Sequence, residues 1–381
     1  KIDSTFSLAL YQLAYANQWY FRTDEANRYI KEAVKYINSV PEKERLYIRA
    51  QSIKDFSSRI PIYEEIVNKY PNEKLAYFEI GDMLYHNGPV PNSIPYFEKS
   101  LSLDPSFEFS IQHLGWAYRD IGDHTKDINL TKTSLEIYPN KDNYKYLEMY
   151  SYLYAGMYDV YFGKVRELDN EEIHFININE AFGDGYLSSG DYENANEKYQ
   201  KLLDDNDTKL DGIKKLQTLS LYRGNLNRFI SLSDEVLNIY ISKNNTVAYL
   251  NELSRRAYSL LLIFDKKDEA KKIILEIEKE IGDKTKNINY SDLSIWSRLY
   301  LIDTYKLLKM WSKGNELNES AFGNLGVIVM ADKGLRSKQE GEFSEAIKYY
   351  SQALELGNSF HYYNYNFAIG QCYMEKNDFQ N

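Results

Sequence analysis

The sequence predicts an all-α chain, a solenoid of repeated helical hairpins. Three observations predict it. Gly88, Gly122, Gly156, Gly190 and Gly224 form one series with a step of 34 residues. Pro71, Pro105 and Pro139 keep the same step, as do Gly81 and Gly115, with Gly183 two steps on. Only eight prolines occur in 381 residues, which suits long helices. A chain of this length is too long for one compact core, so an open array or several domains is expected.

Each position in the period has a physical reason. The series glycine ends the first helix, where the chain needs a left-handed residue that glycine adopts cheaply. The glycine at positions 81, 115 and 183 lies inside a helix, where glycine is normally penalised by about 1 kcal/mol. It is kept because the two helices of a hairpin approach closely. Small residues stand opposite, at Ala26, Ser93, Ala195, Ala270 and Ala346, and an aromatic one turn later fills the space beside them, as at Phe97, Tyr199 and Tyr350. The proline closes the second helix, which it cannot continue.

The segments "YFEIGDMLYHNGPVPNSIPYFEKSLSLDP" (77–105), "IQHLGWAYRDIGDHTKDINLTKTSLEIYP" (111–139), "INEAFGDGYLSSGDYENANEKYQKLL" (178–203) and "EGEFSEAIKYYSQALEL" (340–356) resemble tetratricopeptide repeats, whose unit is 34 residues long. The resemblance implies a right-handed superhelix with the first helices on its inner wall. It divides the chain into a regular array at 1–243, with units starting near 7, 40, 74, 108, 142, 176 and 210. An irregular helical segment follows at 244–335, and a recovered repeat at 336–381. Two units depart from the pattern: Met149 and Phe229 stand where small residues belong. Within the irregular segment, "DKKDEAKKIILEIEKEI" (265–281) reads as a second helix and "YSDLSIWSRLYLIDTYKLLKMW" (290–311) as one long amphipathic helix. "GVIVM" (326–330) reads as a buried helix turn, with a short strand as the alternative.

Both ends are expected to be cut within a unit. "IDSTF" (2–6) matches the linker "LDPSF" (103–107), "AIGQCYMEKNDF" (368–379) is a first helix plus its turn, and neither end carries a polar cap. The opening residues are also similar to repeat segments that follow kinase-like or cyclase-like modules in large bacterial signalling proteins. A piece of a longer protein is therefore expected; superhelical arrays sometimes dimerise through exposed terminal hairpins, and pairing at such cut ends would be artificial.

Composition narrows the function. The net charge of −10, from 46 basic and 56 acidic residues, argues against a phosphate-binding surface and so against nucleic acid. The longest apolar run, "YSLLLIF" (258–264), is far short of the roughly 20 residues that span a bilayer. Cys372 is the one cysteine, so no internal disulfide forms, and one thiol does not separate cytoplasm from periplasm. It stands without a paired base and reads as structural. The five histidines, His86, His113, His124, His174 and His361, show no metal-binding spacing and read as surface or groove residues. "FGDGY" and "FGNLG" lack the lysine and hydroxyl residue of a phosphate loop. No enzyme activity, cofactor or metal is expected.

What remains is a surface. In the family, positions 2, 5, 6, 9, 12 and 13 of each unit face the groove. By the resemblance these include Phe78, Glu79, Asp82 and Tyr85 in the unit from Lys74, and Gln112, His113, Trp116 and Arg119 in the unit from Glu108. The next two units add Tyr146, Tyr150 and Tyr154, then Glu180 and Asp184. Such a groove is aromatic and acidic, with scattered cations such as Lys214 and Lys215. Its carboxylates would repel the peptide C-terminus that chaperone-tail-binding members grip. A basic or aromatic and apolar peptide fits better, because aromatic rings give large contact area at low entropy cost. Many of the 36 tyrosines fill packing positions, as Tyr192 and Tyr199 do; Tyr85, Tyr146, Tyr150 and Tyr154 are the groove candidates. The leading expectation is a protein-interaction scaffold. The alternatives are a sensor segment of a larger signalling protein and, on the aromatics alone, a glycan-binding module.

Overall fold

The computed structural model describes residues 6–20, 22–53, 57–139, 141–170, 177–283, 285–286, 288–322, 326–356 and 362–376. Among them the chain forms twenty-one α-helices, four short 3-10 turns and no strand. The first hairpins are α1 (Ser7–Trp19) with α2 (Thr23–Lys35), α3 (Glu42–Ser52) with α4 (Ile60–Lys69), and α5 (Lys74–Asn87) with α6 (Val90–Leu103). Then come α7 (Glu108–Asp120) with α8 (His124–Ile137), then the helices α9 (Asp142–Tyr154) and α10 (Tyr158–Asn170), and the hairpin of α11 (Ile178–Ser188) with α12 (Tyr192–Lys201). Next are α13 (Lys209–Tyr222) with α14 (Leu226–Ser242), α15 (Thr246–Leu262) with α16 (Lys267–Gly282), and α17 (Ile295–Leu307) with α18 (Trp311–Phe322). The last helices are α19 (Gly326–Gln339), α20 (Phe343–Leu356) and α21 (Tyr362–Glu375). The chain divides into two units, residues 1–151 with 326–381, and residues 152–325.

The packing within each unit is tetratricopeptide-like. In the first, each helix from α1 to α7 packs on the next, and α1 reaches α3 as α5 reaches α7. The same stepwise packing runs from α10 through α16 in the second, where α15 also packs on α17. Among the described residues, buried clusters draw on more than one hairpin. Tyr63, Ile66 and Ile80 share one cluster drawn from α1 to α5, and Phe78, Phe97 and Leu114 another drawn from α5 to α7. Each such buried side chain is worth about 1.5–3 kcal/mol, and most of that is gained only when neighbours stack.

The turns explain the glycine series. Gly122, Gly190 and Gly224 have φ of +78°, +83° and +61°. At each, the residue after the glycine donates its N–H to the carbonyl five residues back, as Asp191 does to Tyr186 at 2.8 Å, and caps the next helix through its side chain. One dipeptide, Gly-Asp or Gly-Asn, thus stops one helix and starts the next. The register of glycines is lost after residue 224 because other residues take over this position. Asn244, Asp265 and Lys309 hold φ of +50°, +49° and +61°, until Gly341 restores the glycine at +80°.

Three expectations are corrected. Gly88 is extended, with φ −137° and ψ −174°, because Pro89 follows it and bars the helical region. Of the mid-helix glycines, Gly81 and Gly183 answer to an aromatic ring more than to the small residue opposite, whereas a β-carbon on Gly115 would lie 3.2 Å from the Asp127 carboxylate. A β-carbon on Gly81 would lie 2.7 Å from Phe97, and one on Gly183 would lie 2.3 Å from Tyr199. The segment 290–311 is not one helix. A 3-10 turn at Tyr290–Asp292, capped by Asn289, precedes α17; the Ser294 hydroxyl caps α17, and the left-handed Lys309 ends it before α18. "GVIVM" begins α19 and is helical. His174 and His361 lie outside the described residues, as do 2–5 of the opening linker and 377–381 of the closing turn.

Candidate functional site

The candidate site residues of the first unit lie on α5, α7 and the part of α9 up to residue 151, and Tyr154, at the end of α9, belongs to the second unit. Phe78 is fully buried, its ring 5.6–6.2 Å from those of Phe107, Phe109, Phe97 and Trp19. Tyr85 is also buried, and its hydroxyl donates to Asp120 at 2.9 Å. Both belong to the core that joins the hairpins, and neither offers a free face to a partner. Gln112 lines a shallow depression of about 320 Å³ with Lys74, Asp104, Phe107 and Phe109. Arg119 donates to the fully buried Asp127 at 2.7 Å, because Asp127 takes the position that is small in other hairpins and needs a counter-charge. Trp116 is exposed. Tyr146 and Tyr150 are half-buried neighbours with rings 4.5 Å apart, and Tyr154 is exposed.

The acidic residues are less available than their sequence positions suggest. Glu79 is buried, and Tyr15 donates to it at 2.8 Å. Burial first, and the charge of Asp82 second, push its carboxyl up to about 7. Asp82 sits one turn further along α5. Burial opposes its ionisation, but the imidazoles of His113 and His86 hold it well below the usual carboxylate range. Its Oδ1 lies 3.1 Å from His113 Nε2 and 3.4 Å from His86 Nε2. These three are the residues that bring metal-ligating atoms within 4.8 Å of one another among the described residues.

In the second unit, Glu180 and Asp184 both face Lys215 of α13, at 2.9 Å and 2.8 Å. Tyr199 also donates to Asp184, at 2.7 Å. Burial works against the charge of Lys215, yet the two carboxylates raise it above the ordinary lysine range. This acidic pair is therefore answered from within the protein.

The structure adds residues that the groove positions did not single out. Trp19, at the end of α1, stands 5.3 Å from Phe109 and 6.2 Å from His113 by ring centroid, and His113 stands 4.7 Å from Trp116. Trp19, Phe109 and Trp116 are 37%, 42% and 38% exposed, so they form one accessible aromatic strip running from α1 onto α7. Phe109 sits at position 2 of its unit and was findable. Trp19 was not, because nothing in the sequence says that α1 reaches α7. His86 follows Asp82 by four residues, a spacing that sets both on one helix face.

No protein-family model matches this chain, and no curated protein matches it. Among solved structures it is similar to a tetratricopeptide repeat protein from Parabacteroides merdae, at 14% identity and TM-score 0.45, over 71% of this chain and 98% of that one. It is similar to PilW, a widely conserved type IV pilus biogenesis factor, at 12% identity and TM-score 0.36, over 50% of this chain and 87% of that one. It is also similar to the tetratricopeptide repeat domain of P58(IPK), at 13% identity and TM-score 0.26, over 88% of this chain and 99% of that one.

Proposed function

We propose that this protein is a non-catalytic interaction scaffold and that the first-helix face of its first unit holds an aromatic or apolar segment of a partner protein. The observation that carries the reading is the strip of Trp19, Phe109 and Trp116, large rings that keep more than a third of their surface exposed, Trp19 against Phe109 and Trp116 joined to them through His113. Large aromatics left in solvent on a helical scaffold favour association, since each can bury apolar area without much loss of side-chain freedom. A basic segment is disfavoured, because Glu79 is buried and Glu180 and Asp184 are matched by Lys215.

The experiment is capture from lysate of the source cell. Wild type is compared with Phe109→Ala, Trp116→Ala and with a Tyr222→Ala control, Tyr222 being 63% exposed in the second unit. Helical content is checked by circular dichroism. A protein held by wild type and control but lost by the double variant supports the reading. Equal recovery by all three removes this face from consideration.

A further inference from the structure

We propose that Asp82, His86 and His113 form a binding site for a divalent first-row transition ion of the zinc class, bridging α5 and α7. The placement is convergent. Asp82 and His86 stand one turn apart on α5, and His113 enters from α7, its ring at 87° to that of His86 with centroids 5.9 Å apart. Ligand atoms bound at about 2.0–2.1 Å around such an ion stand roughly 3.0–3.5 Å from one another. The separations from Asp82 Oδ1, 3.1 Å and 3.4 Å, fall in that range.

The hydrogen bonding of His113 points the same way. Its Nδ1 lies 2.8 Å from the Phe109 carbonyl oxygen, which can only accept. Nδ1 therefore donates to that carbonyl, which leaves Nε2, the nitrogen facing Asp82 Oδ1, as the one placed to ligate an ion. That oxygen is buried, with the two imidazole nitrogens beside it. A backbone carbonyl that fixes the far nitrogen of a histidine is also the usual support behind a metal ligand.

The donor set selects the ion. Two imidazole nitrogens and one carboxylate oxygen suit Zn²⁺, Co²⁺ or Ni²⁺, whereas Ca²⁺ and Mg²⁺ call for oxygen ligands throughout. Phe78, Phe97 and Trp116 surround the His113 ring, giving the site an apolar back wall. His86 and Asp82 keep 32% and 23% of their side-chain surface exposed, so an ion enters from their side and water completes its coordination there. Bound ion would tie two successive hairpins beside the exposed aromatic strip.

The test uses the untagged full chain, stripped with chelator, desalted and titrated with ZnCl₂ by calorimetry. One saturable equivalent is expected, with a raised thermal midpoint, and Co²⁺ should give visible d–d absorption. Asp82→Asn and His86→Ala should each weaken Zn²⁺ binding at least tenfold, while His124→Ala leaves it unchanged. If either of the first two loses helical content by circular dichroism, the other decides. Absence of saturable uptake by wild type overturns the proposal. So does wild-type affinity in both site variants, or loss of binding in His124→Ala.

Discussion

Residue by residue, the glycines divide into two kinds that the sequence writes identically. Gly190 has φ +83° and open space where a β-carbon would go, so Gly190→Ala is expected to cost about 1 kcal/mol, the backbone term alone. Gly183 has ordinary helical geometry, but a β-carbon there would meet the Tyr199 ring at 2.3 Å. Gly183→Ala should cost on the order of 2–3 kcal/mol through overpacking. Urea midpoints of the two variants check this, and equal losses would contradict it. Glu79 gives a prediction in pH. Its carboxyl is raised to about 7 in the folded protein against 4.5 ordinarily, with Tyr15, Arg59 and Asp82 around it. The associated stability is therefore fully present below 4.5 and is lost as pH rises through about 7. At roughly 1.4 kcal/mol per unit, the loss is on the order of 3–4 kcal/mol. Glu79→Gln removes that dependence, so chelator-treated wild type should weaken relative to the variant between pH 5 and 8. Parallel stability curves would refute the assignment.

At the scale of helices, polar groups buried between hairpins fix which helices meet. Glu252 on α15 accepts from Gln217 of α13 at 2.8 Å, from Ser233 of α14 at 2.9 Å and from Arg255 at 3.1 Å, and Gln217 in turn accepts from Arg255. Removing the carboxylate strands the others. Glu252→Ala is expected to cost about 3–5 kcal/mol, read as a lowered urea midpoint, and Glu252→Gln less, since it keeps an acceptor. A loss below 1 kcal/mol would mean the network is not a fastener. Helices of this kind were legible in the sequence where the local rule was glycine or proline. The second helices α4, α6 and α8 end at Lys69, Leu103 and Ile137, each two residues before its proline. They were illegible where Asn244, Asp265 and Lys309 turn the chain, because nothing in those residue types demands a positive φ. The break between α17 and α18 was missed for that reason: apolar spacing runs through Lys309 without interruption.

For the whole molecule, the repeat gave the helical class and the hairpin pairing, because a period of 34 residues leaves many redundant marks. It gave the candidate site only in part. Family positions say which residues lie on first helices, but Phe78 and Tyr85 are buried beneath neighbours, and Glu180 and Asp184 are matched by a lysine 31 or more residues away in the chain. Such pairings are set by stacking between repeats, which a single-repeat pattern does not encode. The surviving surface in the first unit is the strip of Trp19, Phe109 and Trp116. The measurement that tests its role most directly is photo-crosslinking in the source cell, with p-benzoylphenylalanine placed at Trp116 or at Tyr222. The account predicts a discrete protein adduct from position 116 and none from position 222. Adducts from 222 alone, or none from 116, would contradict the claim that the first-helix face holds the partner.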